Sequence, residues 1–294
     1  MIGPAKRHVL RAEALAEIGR LPAVEREARA ALADDPADAR AHELHAWSLM
    51  EQRRYRDALH AANAGVAQCP TRAHLHYVAA VVLHRMGHRT AARIRVEAAI
   101  ALAPRDGLYS VRLARVLLDD GDARGALDSA RNALSLQPED PFVLGEVAHV
   151  MAECGQAAES LAIAERRLQM QPDDPWALMG YARSLWSAGR AQDVVDATTR
   201  ANALAPNLLA VWSLRAEALD ALGRHTEADV SASELLRLSP HTDLGGVATA
   251  RVLCDRREWD RAVRVAGAIV ARSPENPRAV AVLERARLRG VRRH

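Results

Sequence analysis

His42-Glu43-Leu44-His45 comes nearest, in this 294-residue chain, to a metal-binding sequence. A zinc helix sets two histidines four residues apart so that both imidazoles leave one face, with a glutamate between them as general base. Here the histidines are three apart, and His8, His42 and His76 recur every 34 residues. Imidazoles satisfied by neighbouring backbone carbonyls are therefore expected, and a metal site is not. The acid pairs Asp34-Asp35, Asp119-Asp120 and Asp173-Asp174 fall at turns or helix ends, where carboxylates cap amide groups. A catalytic dyad needs a dry pocket, which such positions do not offer. Cys69, Cys154 and Cys254 are far apart and form no C-x-x-C pair, so neither a disulfide framework nor a zinc knuckle follows, and a reducing compartment fits. Only Cys254 is placed where it could face a groove. The phosphate-cradling G-x-x-x-x-G-K-[ST], the dinucleotide G-x-G-x-x-G after a strand and the nucleophile elbow G-x-S-x-G are all missing. The expectation is a protein that is not an enzyme, with no cofactor, no catalytic residue and no metal ligand.

The elements that position these residues follow from composition and period. Hydrophobic residues make up 49% of the chain and aromatics 3%, so its apolar content is mostly alanine, leucine and valine, a helix-forming set. With 26% charged residues and a mean hydropathy of −0.16, disorder and membrane insertion are both disfavoured. Residues 1–20 lack the apolar core of a secretory signal, so a cytoplasmic location is expected. Lys6 is the sole lysine, an arginine bias of the kind that GC-rich coding produces.

Pro36, Pro70, Pro104, Pro138, Pro172, Pro206, Pro240 and Pro274 are each 34 residues apart. Placing them at position 32 of a 34-residue unit brings other columns into line. Position 8 is alanine in all eight units (Ala12, Ala46, Ala80, Ala114, Ala148, Ala182, Ala216, Ala250), and position 11 is leucine or methionine. Position 15 is glycine in six units, with Arg53 and Arg257 the exceptions. Position 20 is small or β-branched throughout. Apolar residues at i, i+3, i+4 and i+7 on both sides of position 15 describe two amphipathic helices per unit, the first ended by a left-handed cap. The small columns mark close approach of helix backbones. Asp140-Pro141, Asp174-Pro175 and Asn276-Pro277 read as N-caps followed by a first-turn proline.

On these columns of alanine, leucine, glycine and proline the chain resembles the tetratricopeptide repeat (TPR) family, over residues 5–276. The resemblance implies an all-α, right-handed α-solenoid superhelix of helix-turn-helix repeats, at 5–38, 39–72, 73–106, 107–140, 141–174, 175–208, 209–242 and 243–276. Residues 277–290 read as a C-terminal capping helix, in which Val280, Leu283 and Leu288 cover the last hairpin, and 291–294 as a basic tail. Departures are local: Gly245 and Gly246 weaken a helix, while Arg167 and Leu235 stand where a small residue is expected and imply looser packing or a local kink of the superhelix.

The resemblance further implies a binding groove on the concave wall of the first helices, built from positions 2, 5, 6, 9, 12 and 13. Five of the ten aromatics fall there: Trp47, Tyr77, Phe142, Trp176 and Trp186. Tyr55, Tyr181, Trp212 and Trp259 take packing positions, and Tyr109 is readable either way. Exposed aromatics cost solubility, so this set points to a partner surface, although neighbouring repeats can absorb part of each ring. Seven wall cations face ten wall acids, Glu43 among them, which speaks against a polyanion groove. Arg85, Arg112, Arg115 and Arg183, with His84 and His149 and the apolar Met179, form a cationic and apolar middle zone.

The function expected is a non-catalytic scaffold or adaptor that binds a peptide segment or partner protein in this groove. Its partner would carry apolar anchors and an acidic or carboxylate feature. The clamp with which some family members hold chaperone tails is disfavoured, because no position 9 carries asparagine. Two other readings stay open. One is nucleic-acid association through Arg285, Arg287, Arg289, Arg292 and Arg293, since the net charge of +3 and the pI near 9.0 belong to the C-terminus. The other is an accessory subunit of a partner enzyme. Self-association through the atypical last unit is also open.

Overall fold

The computed structural model describes residues 3–238, 243–274 and 276–290, in two compact units, Met1–Val150 and Met151–His294. Pro240 and the basic tail 291–294, with Arg292 and Arg293, lie outside the described residues. Every element among the described residues is a helix, and helices alternate in hairpins: an all-α solenoid.

The first unit holds the hairpins α1 (Pro4–Glu17) with α2 (Leu21–Asp34), α3 (Ala39–Glu51) with α4 (Tyr55–Gln68), α5 (Ala73–Arg85) with α6 (Arg89–Leu102), and α7 (Gly107–Asp119) with α8 (Ala123–Leu136). Helix α9 (Pro141–Glu153) follows, then α10 (Ala157–Met170). The second unit continues with α11 (Pro175–Ser187) and α12 (Ala191–Leu204), α13 (Leu209–Ala221) and α14 (His225–Leu238), and α15 (Asp243–Asp255) and α16 (Trp259–Arg272). Helix α17 (Pro277–Gly290) closes the chain. Within the first unit α1 packs on α3, α3 on α5 and α5 on α7, so the first helices form one wall.

The periodic columns explain this regularity. All eight position-8 alanines are at most 2% exposed, and all eight position-20 residues, from Val24 to Ala262, are fully buried. Helix backbones approach closely there, with room for no more than a methyl group at position 8 and for nothing larger than valine at position 20. In each hairpin the amide of position 16 donates to the carbonyl of position 11, as in Arg20 to Leu15 at 2.9 Å and Arg190 to Leu185 at 2.9 Å. That bond closes a Schellman turn and requires a left-handed residue at position 15. The six glycines there have φ between 68° and 84°, and Arg53 and Arg257 are held at 59° and 61°. A Cβ in this region costs about 1–2 kcal/mol, partly offset by the extra chain entropy of glycine. Arg53→Gly is therefore expected to stabilise the protein by about 0.5–1 kcal/mol, seen as a raised thermal midpoint. A lowered midpoint would show that the arginine side chain itself supports the turn.

Several first helices restart at a side-chain cap, whereas α5 and α13, behind Arg72 and Leu208, do not. Asp174 accepts from the amides of Trp176 at 3.1 Å and Ala177 at 3.0 Å, Asp140 from Val143 at 2.9 Å, and Asn276 from Ala279 at 3.1 Å. Asp38 and Asp106 cap α3 and α7 in the same way without a following proline.

Several expectations need correction. Leu235 is fully buried, so a leucine there fills space rather than loosening it. Arg167 turns its guanidinium to Asp174, at 2.9 Å, with its Nη1 at 3.8 Å from where a Cβ on Gly180 would lie. Gly246 does more than weaken α15: a Cβ there would lie 2.6 Å from Ile269 Cδ1. On α17 the buried face is Ala279, Val282, Leu283 and Ala286, spaced i, i+3, i+4, i+7, whereas Leu288 is 71% exposed. Tyr109 is a packing residue, 4% exposed, and Cys254 is buried against α17 and not in a groove.

Candidate functional site

Chemistry-bearing residues are placed as structural members. His42 and His76 bring their Nε2 atoms to the carbonyls of Pro36 and Pro70, at 2.9 and 3.0 Å, while His8 departs from this pattern and pairs with Glu27 at 2.7 Å. Among the described residues no cluster of histidine, cysteine and acid side chains is grouped to hold a metal ion. Asp35 accepts from the Ala37 amide at 3.0 Å, a turn cap, but Asp119 faces His84 instead of capping.

The wall of α1, α3, α5 and α7, with the start of α9, encloses a concave pocket of about 440 Å³. Fourteen side chains line it, and all fourteen sit at positions 2, 5, 6, 9, 12 or 13 of their 34-residue units. Trp47, Tyr77, Arg85, Arg112 and Phe142 are among them, together with Leu44, Val78 and Val81 as its apolar floor. Helical spacing causes this: these positions form one stripe about 100° wide on each first helix, and stacking aligns the stripes.

Tyr77 is the centre of an aromatic stack. The His74 ring lies 5.2 Å from it at 29°, the buried Tyr109 ring 5.6 Å away at 46°, and the Arg112 guanidinium 5.6 Å from its centroid. Arg112 Nη2 reaches the Tyr77 hydroxyl at 3.5 Å, the outer limit of a hydrogen bond, and its Nε is shut off from solvent without an acceptor. Burial pushes the His74 imidazole below its ordinary value, with Glu43 opposing, so the ring is a neutral platform near pH 7. Burial, aided by Asp106 and Glu43, raises the Tyr109 phenol to about 12.

Charges on the wall are mostly spent on one another. Glu43, expected as a solvated wall acid, is 2% exposed and bridges Arg40 at 3.1 Å and Arg72 at 2.9 Å, with Arg40 also on Glu13 at 2.8 Å. Burial works against the Arg40 charge, but the hydrogen bonds to Glu13 and Glu43 outweigh it and raise its pKa. Arg115 is 3.8 Å from Glu146, and His84 is 2.7 Å from Asp119. Burial holds the His84 imidazole low against the pull of Asp119, so this contact is a neutral ring meeting a carboxylate. Arg85 is exposed, and among the described residues neither it nor Arg112 has a carboxylate partner. His149 is half-buried on α9.

In the second unit Trp176 is 55% exposed at the start of α11. Arg183 brings Nη2 to 3.8 Å from Met179 Sδ, and Trp186 packs partly against the core around Leu185 and Leu219. Arg251 meets Glu217 at 3.0 Å, and burial raises the pKa of that glutamate against the pull of Arg251. Arg285, counted above toward a nucleic-acid surface, is paired with Asp255. The residue not singled out in the sequence is His74, which sits at wall position 2 and is missed when only Phe, Trp and Tyr are counted as rings.

No family model matches this chain, and no curated protein matches it. Solved structures do. One chain of the APC/C hetero-tetramer Cut9-Hcn1 superposes with a TM-score of 0.70 at 18% identity, covering 95% of this chain and 55% of that one. This chain therefore spans little more than half the length of that neighbour. A tetratricopeptide repeat protein from Parabacteroides merdae matches with a TM-score of 0.63 at 14% identity, over 96% of this chain and 98% of that one. The pilF protein of Pseudomonas aeruginosa matches with a TM-score of 0.57 at 17% identity, over 73% of this chain and 97% of its own. Likeness at these identities is a likeness of fold.

Proposed function

Since the chain has the tetratricopeptide-repeat fold, we propose that it is a non-catalytic interaction scaffold holding a segment of a partner protein on the wall of its first helices. The partner supplies apolar anchors and an acidic or carboxylate feature. One observation carries this reading: the pocket in the first unit gathers Trp47, Tyr77 and Phe142 with three arginines on an apolar floor, Arg85 and Arg112 of them without an acid partner among the described residues, and Phe142 is 47% exposed. Exposed aromatic area bordered by unpaired donors has the composition of an interface hot spot. Within the second unit Trp176 and Trp186, with Met179 and Arg183, make up a separate patch of the same type in this reading, and His149 is assigned to the wall of the first unit. Nucleic-acid association is the weaker reading, because Arg285 is already paired.

The test is partner recovery from a lysate with a Trp47→Ala, Phe142→Ala double variant. Truncating two hot-spot rings costs about 2 kcal/mol each, so recovery should fall well beyond tenfold while the helical circular dichroism is retained. Undiminished recovery by a folded double variant removes the wall from the function.

A further inference from the structure

We infer that the first-unit pocket takes a single carboxylate, borne on an aspartate or glutamate side chain inside the partner segment and set on the Arg112 guanidinium, with an apolar neighbour packed over Val78 and Val81. This deepens the scaffold reading and rests on it.

Arg112 differs from the other wall cations around it. Arg40 has two acids and Arg115 one, whereas Arg112 has the face of Tyr77, a hydroxyl at 3.5 Å and a solvent-excluded Nε with no acceptor. The enclosed Nε stays out of a guest's reach, so the carboxylate meets the Nη side of this half-buried guanidinium, where no acid of the protein has to be displaced. The Tyr77 ring, 5.6 Å away, and its hydroxyl hold the guanidinium at the pocket, where its terminal nitrogens offer donors to a carboxylate. Arg85, exposed on the same pocket, supplies a second cation.

The same lining restricts the charge of the guest. Glu43 and Glu51 also border the pocket, and the first of them is buried. Three arginines and these two glutamates leave the lining with one net positive charge, which a carboxylate answers and a phosphorylated side chain, with nearly two negative charges, exceeds. The apolar floor of Leu44, Val78 and Val81 beside Trp47 then asks for an aliphatic or aromatic residue next to the acid. About 440 Å³ is room for an acid and one such neighbour.

The probe is a phage-displayed random dodecapeptide library with no free peptide C-terminus, panned on the full chain. Enriched sequences are then synthesised and titrated by fluorescence anisotropy. Expected are peptides with Asp or Glu beside an aliphatic or aromatic residue, weakened about thirtyfold when the acid becomes its amide. Arg112→Gln should weaken the acidic peptide by a similar factor and leave the amide peptide unchanged, a coupling that a merely structural arginine would not show. A phosphoserine in place of the acid should bind more weakly than glutamate. Peptides that bind the wall, are lost in Trp47→Ala, and yet need no acid or prefer phosphoserine overturn the inference and leave the scaffold reading standing. A requirement for a free C-terminal carboxylate in a matched synthetic set overturns it also. Peptides indifferent to both Trp47→Ala and Phe142→Ala overturn the scaffold reading and this inference together.

Discussion

Removing Arg40 and Arg72 together is expected to cost the fold about 3–5 kcal/mol, more than removing the glutamate they share. The asymmetry comes from burial. The Glu43 side chain is 3% exposed, while those of Arg40 and Arg72 are 47% and 53% exposed. Arg40→Ala, Arg72→Ala leaves a carboxylate inside the wall with neither of its cations, and desolvation of that charge is no longer compensated. Glu43→Ala instead leaves Arg72 to water, which solvates it well, and Arg40 to Glu13, so the loss is only that of two charge-assisted hydrogen bonds and some packing, about 1–2 kcal/mol. Exposed ion pairs alone would reverse this order, since each is worth under about 1 kcal/mol. Urea unfolding followed by circular dichroism decides: a double-variant loss no larger than that of Glu43→Ala would mean that water reaches the carboxylate. Because Glu43 also lines the pocket, Glu43→Ala removes a negative charge from it and should tighten binding of an acidic segment while Arg40 keeps Glu13, provided the fold survives.

Much of this architecture is legible in one dimension because a repeat converts tertiary contacts into columns. Position 8 and position 20 read as close approaches, and those sixteen residues are buried. Position 15 is more instructive where its residue type fails. Arg53 and Arg257 occupy the left-handed region although nothing in an arginine favours it, so the hairpin imposes the conformation and glycine only lowers its cost. The fourteen residues that line the pocket likewise all sit at six positions of the repeat.

What the columns hide is the pairing between repeats. Arg115 meets Glu146 and His84 meets Asp119 across 31 and 35 residues of sequence, contacts that depend on the rotation from one hairpin to the next. Periodicity does not specify that rotation. Counting wall charges therefore overstates the cationic zone, and Glu43 reads as solvated when Arg40 and Arg72, from the two ends of its own unit, enclose it. Leu288 is misplaced for a related reason. The face of α17 that docks is set by Ala279 and Ala286, whose small side chains allow close approach, and a pattern built on large apolar residues passes over them.

Leu75→Ala should lose about 2–5 kcal/mol, and combining it with Gly65→Ala should cost less than the two changes separately. Leu75 on α5 is fully buried, and Gly65 on α4 lies where α3, α4 and α5 meet. A Cβ added at Gly65 would stand 2.8 Å from His42 Cβ and 2.9 Å from Leu75 Cδ2. Helix propensity alone favours alanine there by about 1 kcal/mol. Overpacking of about 1–3 kcal/mol opposes it, so Gly65→Ala should be destabilising despite the better helix former. Leu75→Ala removes one of the two obstructions and leaves a cavity beside the new methyl group, which yields a favourable coupling of about 0.5–1 kcal/mol. The other obstruction stays. His42 Cβ is one bond from the backbone, and its ring is held by the Pro36 carbonyl at 2.9 Å, so it has little freedom to give way. The coupling is therefore partial, and full rescue is not expected. Strict additivity in a urea double-mutant cycle would show that α4 shifts as a body to relieve the clash, in which case the small residue at this junction of three helices sets hairpin spacing and not side-chain packing.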